Sequence, residues 1–504
     1  MRRIVPAVIA ACMAIIGADR LCAGSGPDRY ADQLQPLVEK FMSEQEVPGL
    51  AMAIVEDDRV AYAHGFGVMD LARKSDVVTP RSLFHMASIT KLFVATSVMQ
   101  LVEQGKIDLD APVVRYLPYF RLADERYRSV TVRQFITHTS GMPDTEGYDW
   151  DKPQYDADAL ERYVRSLADL KLIYPPGEQF RYSNIAFEVL GAMVAQVSGE
   201  SFEDYVQHHI LTPLGMRDST LLVRETDPKL MTWGHELDSS GDPVRIKVYP
   251  YNRMHTPSSN LHSNAVDMAR WVRANLRRGE LDGKRILNSA TYDLMWKPAH
   301  ATAPDENGRP RSVGISWFLS EYRGHAAVGH SGGDDGYATD LLMIPEKRIG
   351  VVWMCNCDWV DRRAITAAAL DTALGLKPQP IVMKRSVAWA MYLAYRDRGI
   401  NAAIERYGAL KKSRPELYDF GVGALRELGW ILRDSGHQED AIRAWQLNAE
   451  MFPQSPSAFE DLAAGYEAAG NRARAIENYD KALKLDPKLK GAAEALGRLK
   501  EQKK

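Results

Sequence analysis

Ser88-Ile89-Thr90-Lys91 occurs once in the chain and opens a long apolar stretch. Residues three apart on a helix lie one turn above each other, so the lysine nitrogen can reach the serine hydroxyl. A serine hydroxyl is a poor nucleophile at neutral pH until a neighbouring base takes its proton, and a lysine whose pKa is lowered by burial can be that base. Alone the motif is weak, because ordinary composition yields about one such match by chance in a chain of this length. Two further motifs, each also unique, raise its weight: Tyr182-Ser183-Asn184 and His330-Ser331-Gly332. They follow in the order serine–lysine, tyrosine–asparagine, histidine–glycine.

That order and its flanking runs resemble the class C β-lactamase and penicillin-binding protein superfamily, with its D-alanyl-D-alanine carboxypeptidase-like and esterase-like members. The runs are Thr79-Pro80 through Phe84, Ala87 to Lys91, Leu109-Asp110 with Tyr116-Leu117-Pro118, Thr137-His138-Thr139-Ser140-Gly141, Pro175-Pro176-Gly177, and Gly329 to Gly333 with Gly336. The likeness extends from Asp28 to Gly375. It implies an α+β fold, an antiparallel sheet flanked by helices beside an all-helical region, with the site in the groove between them. It also implies Ser88 as nucleophile, Lys91 and Tyr182 as the proton-handling pair, and Asn184 as an orienting partner. His330, Ser331 and Gly332 would bind substrate, and the backbone N–H groups of Ser88 and Gly333 would form an oxyanion hole. Two pre-aimed donors stabilise a tetrahedral oxyanion without reorganising. A phenol beside an ammonium is expected to have its pKa lowered toward neutrality, so either Lys91 or Tyr182 could serve as the acylation base. His330 and Ser331 stand where β-lactamases proper carry lysine and threonine. An imidazole with a pKa near the usual ~6.5 anchors a carboxylate less firmly than lysine does, which speaks against strong β-lactamase activity.

The elements that must position these residues can be read from periodicity. Tyr30 to Met42 reads as a helix, Leu50 to Val55 and Arg59 to Gly65 as strands turning at Asp57-Asp58, and Ser88 to about Glu103 as a long apolar helix that stops at Gly105. From Ala111 to Arg278 the pattern is mostly helical. Four apolar runs then follow, Val313 to Leu319, His325 to Val328, Tyr337 to Ile344 and Ile349 to Met354, with short connections that favour antiparallel pairing. His138 reads as structural, and His255 and His262 as part of a loop before a helix capped by Asn264 and Asp267. Beyond Leu376 only helical signals appear. Leu428, Gly436, Ala441, Ile442, Trp445 and Pro453 recur as Leu462, Gly470, Ala475, Ile476, Tyr479 and Pro487, an offset of 34 residues. That is the tetratricopeptide period, and Gly399, Ala403, Ile404 and Tyr407 suggest a third unit upstream. The expected organisation is a signal peptide at 1–24, a serine hydrolase domain at 25–376, a linker at 377–385 and helical repeats at 386–504 that could hold a protein or peptide partner.

Bulk properties exclude several classes. With 63 basic against 66 acidic side chains the chain lacks the footprint of a nucleic-acid binder. Met1-Arg2-Arg3, the apolar Ile4 to Gly17 and small residues near Ala18 and Ala23 read as a secretory signal, too short for a comfortable span, and no later stretch looks transmembrane. Ile9-Ala10-Ala11-Cys12 resembles a lipoprotein box, although the apolar run continues past the cysteine. Cys355 and Cys357 are expected on opposite faces of a strand, and no metal or cofactor is implied. The reading is an exported, periplasmic or secreted serine hydrolase that works through a Ser88 acyl-enzyme on peptides, amides or esters, including D-amino-acid peptides of cell-wall origin. A β-lactamase or esterase of the same fold is the alternative. The rival class is a non-catalytic sensor or scaffold acting through its repeats, against which the intact Ser88, Lys91, Tyr182 and Asn184 argue.

Overall fold

Asp57 and Asp58 both take positive φ, 46° and 76°, and turn strand β1 (Gly49–Glu56) directly into β2 (Arg59–Gly67). Two consecutive left-handed residues match the twist of a tight hairpin, and aspartate tolerates that region better than most side chains. The computed structural model describes residues 28–501 except 146, 239 and 306–307. The signal-like segment with Cys12 and Cys22 lies outside the described residues.

Eight further strands serve the site: a small hairpin of β3 (His235–Leu237) and β4 (Pro243–Arg245), then β5 (His300–Thr302), β6 (Arg311–Val313), β7 (Phe318–Tyr322), β8 (His325–Asp334), β9 (Tyr337–Ile344) and β10 (Ile349–Cys355). One antiparallel sheet runs in the order β2-β1-β10-β9-β8-β7-β6-β5. Pairing of Leu50 with Cys355 through Glu56 with Ile349 joins the first strand to the last. The expected strand over Val313 to Leu319 is instead the end of β6 and the start of β7, separated by a turn in which Ser316 takes φ 67°. Apolarity alone does not mark that break. β8 runs six residues past Val328, so the His330-Ser331-Gly332 motif lies within a strand.

Alternation along β1 feeds two cores. Ala51, Ala53 and Val55 face helices α2 (Thr90–Glu103), α3 (Asn184–Ser198) and α4 (Ala265–Leu276), where Phe93 stacks on Trp271 at 4.1 Å. Leu50, Met52 and Ile54 face α1 (Gln35–Glu44) and α5 (Arg362–Ala373). Period-two burial on both faces explains why the central strands are continuous apolar runs. Cys355 and Cys357, expected on opposite faces, are both buried with sulfurs 3.6 Å apart. Residues two apart on a strand point to the same side, so the expectation of opposite faces misread the alternation.

The segment expected as a linker packs down instead. Ile381 joins the core against α1 and α5, and the buried Arg385 donates to the Gln45 and Gly241 carbonyls and pairs with Glu46 at 3.1 Å. Seven helices follow: α6 (Val387–Arg398), α7 (Ile400–Ser413), α8 (Val422–Asp434), α9 (Gln438–Met451), α10 (Pro456–Ala468), α11 (Arg472–Leu485) and α12 (Lys490–Glu501). The steps from Val422 to Pro456 and from Gln438 to Arg472 are both 34 residues. Trp445 fills the junction between them. A Cβ on Gly429 would stand 2.1 Å from its indole nitrogen and one on Gly465 2.7 Å from its ring carbons, so the small residues of the repeat mark where helices approach. No helix among the described residues is long and apolar enough to cross a membrane.

Candidate active site

Ser88 stands in a single 3-10 turn (Ala87–Ile89) ahead of α2. Ala87 takes φ 48°, a left-handed conformation that costs a non-glycine residue about 1–2 kcal/mol. Its neighbours hold it there. Thr90 Oγ1 donates to the Ala87 carbonyl at 2.6 Å, the Met86 N–H to the Leu261 carbonyl at 2.7 Å, and Thr339 Oγ1 to the Met86 carbonyl at 3.1 Å. The kink swings the chain from Phe84–His85 into the helix and leaves Ser88 partly exposed above a buried amine.

That amine is Lys91. Its Nζ donates to Ser88 Oγ at 3.1 Å and to the Ser258 carbonyl at 2.7 Å, and the whole residue is buried. Burial pushes the ammonium down to about 8, against the opposing pull of the Glu188, Asp144 and Asp334 carboxylates. Around neutrality an appreciable fraction is therefore free amine, ready to accept a proton.

Tyr182 lies over the same nitrogen, with Lys91 Nζ 5.1 Å from its ring centre. Its pKa is raised by burial, against the hydrogen bond to Ser88, which lowers it. The expectation of a phenol lowered toward neutrality fails because loss of solvent, reinforced by the Asp144 and Asp334 charges, outweighs the Ser88 hydrogen bond. His138 fixes the ring: it stacks on Tyr182 at 4.3 Å, and its Nδ1 accepts from the Ser183 N–H at 3.1 Å. Burial holds His138 well below the ordinary histidine value, which suits that acceptor role. Asn184 begins α3 behind the capping Ser183, and its Nδ2 donates to Asp144 at 3.1 and 3.2 Å.

His330 departs from expectation. Expected to bind substrate with an ordinary imidazole pKa, it is only 4% exposed, 6.3 Å from Tyr182 and 5.0 Å from Phe318 by ring centres. Burial, then the Lys91 charge, pushes its pKa down to about 3. A neutral ring cannot anchor a carboxylate as an ion pair. Ser331 is exposed and makes no hydrogen bond to Ser88 or Lys91. Gly332 is where β8 meets the Ser88 turn: a Cβ there would stand 2.3 Å from Thr339 Oγ1 and 2.5 Å from the Met86 carbonyl. A Cβ on Gly333 would instead meet the Arg362 guanidinium at 2.1 Å.

Sequence reasoning missed a buried layer beneath Lys91. Ser258, whose carbonyl takes the lysine, donates its hydroxyl to Glu188 Oε1 at 2.5 Å, and His255 Nδ1 lies 3.2 Å from the same oxygen. Ser259 and His85 both meet Asp334. One signal was available, since Glu188 is the only charged residue in the apolar run Ile185 to Val194. His255 lay in what read as a loop. Among the described residues no group of three or more His, Cys, Asp or Glu side chains could hold a metal ion.

A family model described as Beta-lactamase matches residues 34–374, which contain every residue of this site. The chain belongs to that family. Penicillin-binding protein 4 of Amycolatopsis lactamdurans is 30% identical over 327 residues, covering 64% of this chain and 84% of that one. Protein flp of Staphylococcus aureus strain MW2 is 26% identical over 325 residues, 64% of this chain, and the match spans 62% of flp's length. A solved octameric penicillin-binding protein homologue from Pyrococcus abyssi superposes with a TM-score of 0.61 at 30% identity, over 68% of this chain and 77% of that one. The fold is thus that of the β-lactamase and penicillin-binding hydrolases, and none of the three matches takes in the whole of this chain.

Proposed function

We propose that the protein is an exported serine hydrolase that cleaves a peptide, amide or ester through an acyl-enzyme on Ser88. The observation that carries this reading is the 3.1 Å hydrogen bond from a fully buried Lys91 to Ser88 Oγ. Neutral Lys91 takes the Ser88 proton as Oγ attacks the scissile carbonyl, and the resulting oxyanion lies between the backbone N–H groups of Ser88 and Gly333. The proton moves by way of Tyr182 to the leaving group; a water that gives its proton to the same pair then attacks the acyl-enzyme carbonyl, the bond to Ser88 Oγ breaks, and the proton returns to Oγ as the acid leaves. Lys91 is the better acylation base, because burial moves its pKa toward neutrality while it moves that of Tyr182 away. Asn184 orients the acyl side. The helices from α6 onward are read as tetratricopeptide-like units that bind or dock a protein segment. Export rests on the basic-then-apolar N-terminus.

Intact-protein mass spectrometry after treatment with a fluorophosphonate tests the mechanism. The parent gains one phosphonyl group, Ser88→Ala gains none, and Lys91→Ala and Tyr182→Phe react at least about a hundredfold more slowly. Labelling of Ser88→Ala at the parental rate would overturn the assignment.

A further inference from the structure

β7 pairs with β8 only as far as Gly329, opposite Phe318, so the last five residues of β8 are laddered to β9 alone. Gly333 lies on this one-sided end. A strand end held from one side can swing about that ladder, and oxyanion donors act only if their spacing is fixed in advance. Asp334, the next residue, supplies a second tie. Its side chain is 8% exposed, and its Oδ2 receives two donors. His85 Nε2 lies 3.0 Å away, and because a carboxylate only accepts, that nitrogen carries the proton; Ser259 Oγ donates to the same oxygen. Neither partner is local, since 249 residues separate His85 from Asp334 and 75 separate Ser259 from it. His85 is fully buried, pairs with His262 and stands just ahead of the Ser88 turn. Ser259 follows Ser258, whose carbonyl takes Lys91. One carboxylate oxygen thus joins the chain entering the nucleophile turn, the chain that holds Lys91 and the strand that carries Gly333.

We infer that Asp334, His85 and Ser259 form a positioning unit that sets the spacing between the Ser88 and Gly333 N–H groups. The assignment rests on the acyl-transfer reading and adds to it three residues outside the serine–lysine, tyrosine–asparagine and histidine–glycine motifs. Asp334 has an electrostatic effect as well, because its charge, after those of Glu188 and Asp144, helps hold the Lys91 ammonium up. Removing the donors while keeping the carboxylate separates spacing from charge.

The test follows the rate constant for fluorophosphonate labelling of the full chain across the Lys91 limb, with thermal melting alongside. In Ser259→Ala and His85→Ala the high-pH plateau should fall at least about tenfold while the limb stays in place. His85→Gln sets an amide N–H near the position of Nε2 and should recover to within about threefold of the parent. Asp334→Asn should lower the plateau and also move the limb to lower pH, since a charge that favours the ammonium is lost. Parental plateaus in both alanine variants, whatever their melting temperatures, would overturn the proposal. So would a limb that moves in them, which would mean that they act through charge, or a His85→Gln variant no faster than His85→Ala. If His85→Ala does not fold, the Ser259→Ala plateau decides alone. A parent that fails to label on Ser88 would refute the acyl-enzyme itself, so the two failures are distinguishable.

Discussion

At the residue scale, one buried lysine sets the pH response. On the proposed mechanism turnover needs neutral Lys91, so kcat/KM should rise with pH through a limb near the value of about 8 to which burial lowers it. His330 is expected to add no inflection in the ordinary histidine range, because it stays neutral down to about 3. The groups facing Lys91 are Glu188 from α3, Asp144 from the loop before it, Asp334 and His330 from β8, and His138. Of these, Glu188 heads the contributions that hold the lysine up. Glu188→Gln keeps the Ser258 hydrogen bond but removes the charge, so the limb should move to lower pH by about one unit. A pH profile of kcat/KM on a neutral ester checks this; a fall in rate with the limb unmoved would mean that Glu188 acts only through packing.

At the element scale, what matters is how closely β8 and the Ser88 turn approach. Gly332 allows it by having no side chain where Thr339 Oγ1 and the Met86 carbonyl sit. Gly332→Ala should cost about 1–3 kcal/mol and slow Ser88 labelling, since the turn must shift to make room. Thermal melting together with the labelling rate tests both parts. The kink at Ala87 gives the opposite case. Glycine enters the left-handed region without the Cβ penalty, so Ala87→Gly should keep or raise the melting temperature while labelling persists, because Thr90, Leu261 and Thr339 still hold the turn.

At the scale of the whole molecule, Arg385 ties the helical repeats to the hydrolase domain through Gln45, Glu46 and Gly241. Arg414 adds a second tie to Gly241 and Asp242 at the tip of the β3–β4 hairpin. Arg385→Ala should weaken this union by about 2 kcal/mol and split a single calorimetric unfolding transition into two. An unchanged single transition would show that the remaining contacts suffice. A chain ending at Leu376 forfeits Ile381 as well, and should melt lower than one ending after α7. The amino-acid sequence by itself determined the pieces whose cause is local: the Asp57-Asp58 hairpin, the buried α2 with its Ser88–Lys91 spacing, the apolar central strands and the 34-residue helical period. Each follows from side-chain periodicity or turn chemistry within a few residues. Only the tertiary structure decided what depends on loss of solvent and on distant neighbours. Burial moved Tyr182 and His330 away from the expected charge states, and the nearby ions, Asp144 and Asp334 for Tyr182 and Lys91 for His330, push in the same direction as desolvation. The Glu188–Ser258–His255 layer under Lys91 joins residues 67 to 70 positions apart, and no local pattern encodes that meeting. The packing of 377–385 against α1 and α5 was equally hidden, since a short Pro-rich segment looks the same free or docked until the surface it covers is in place.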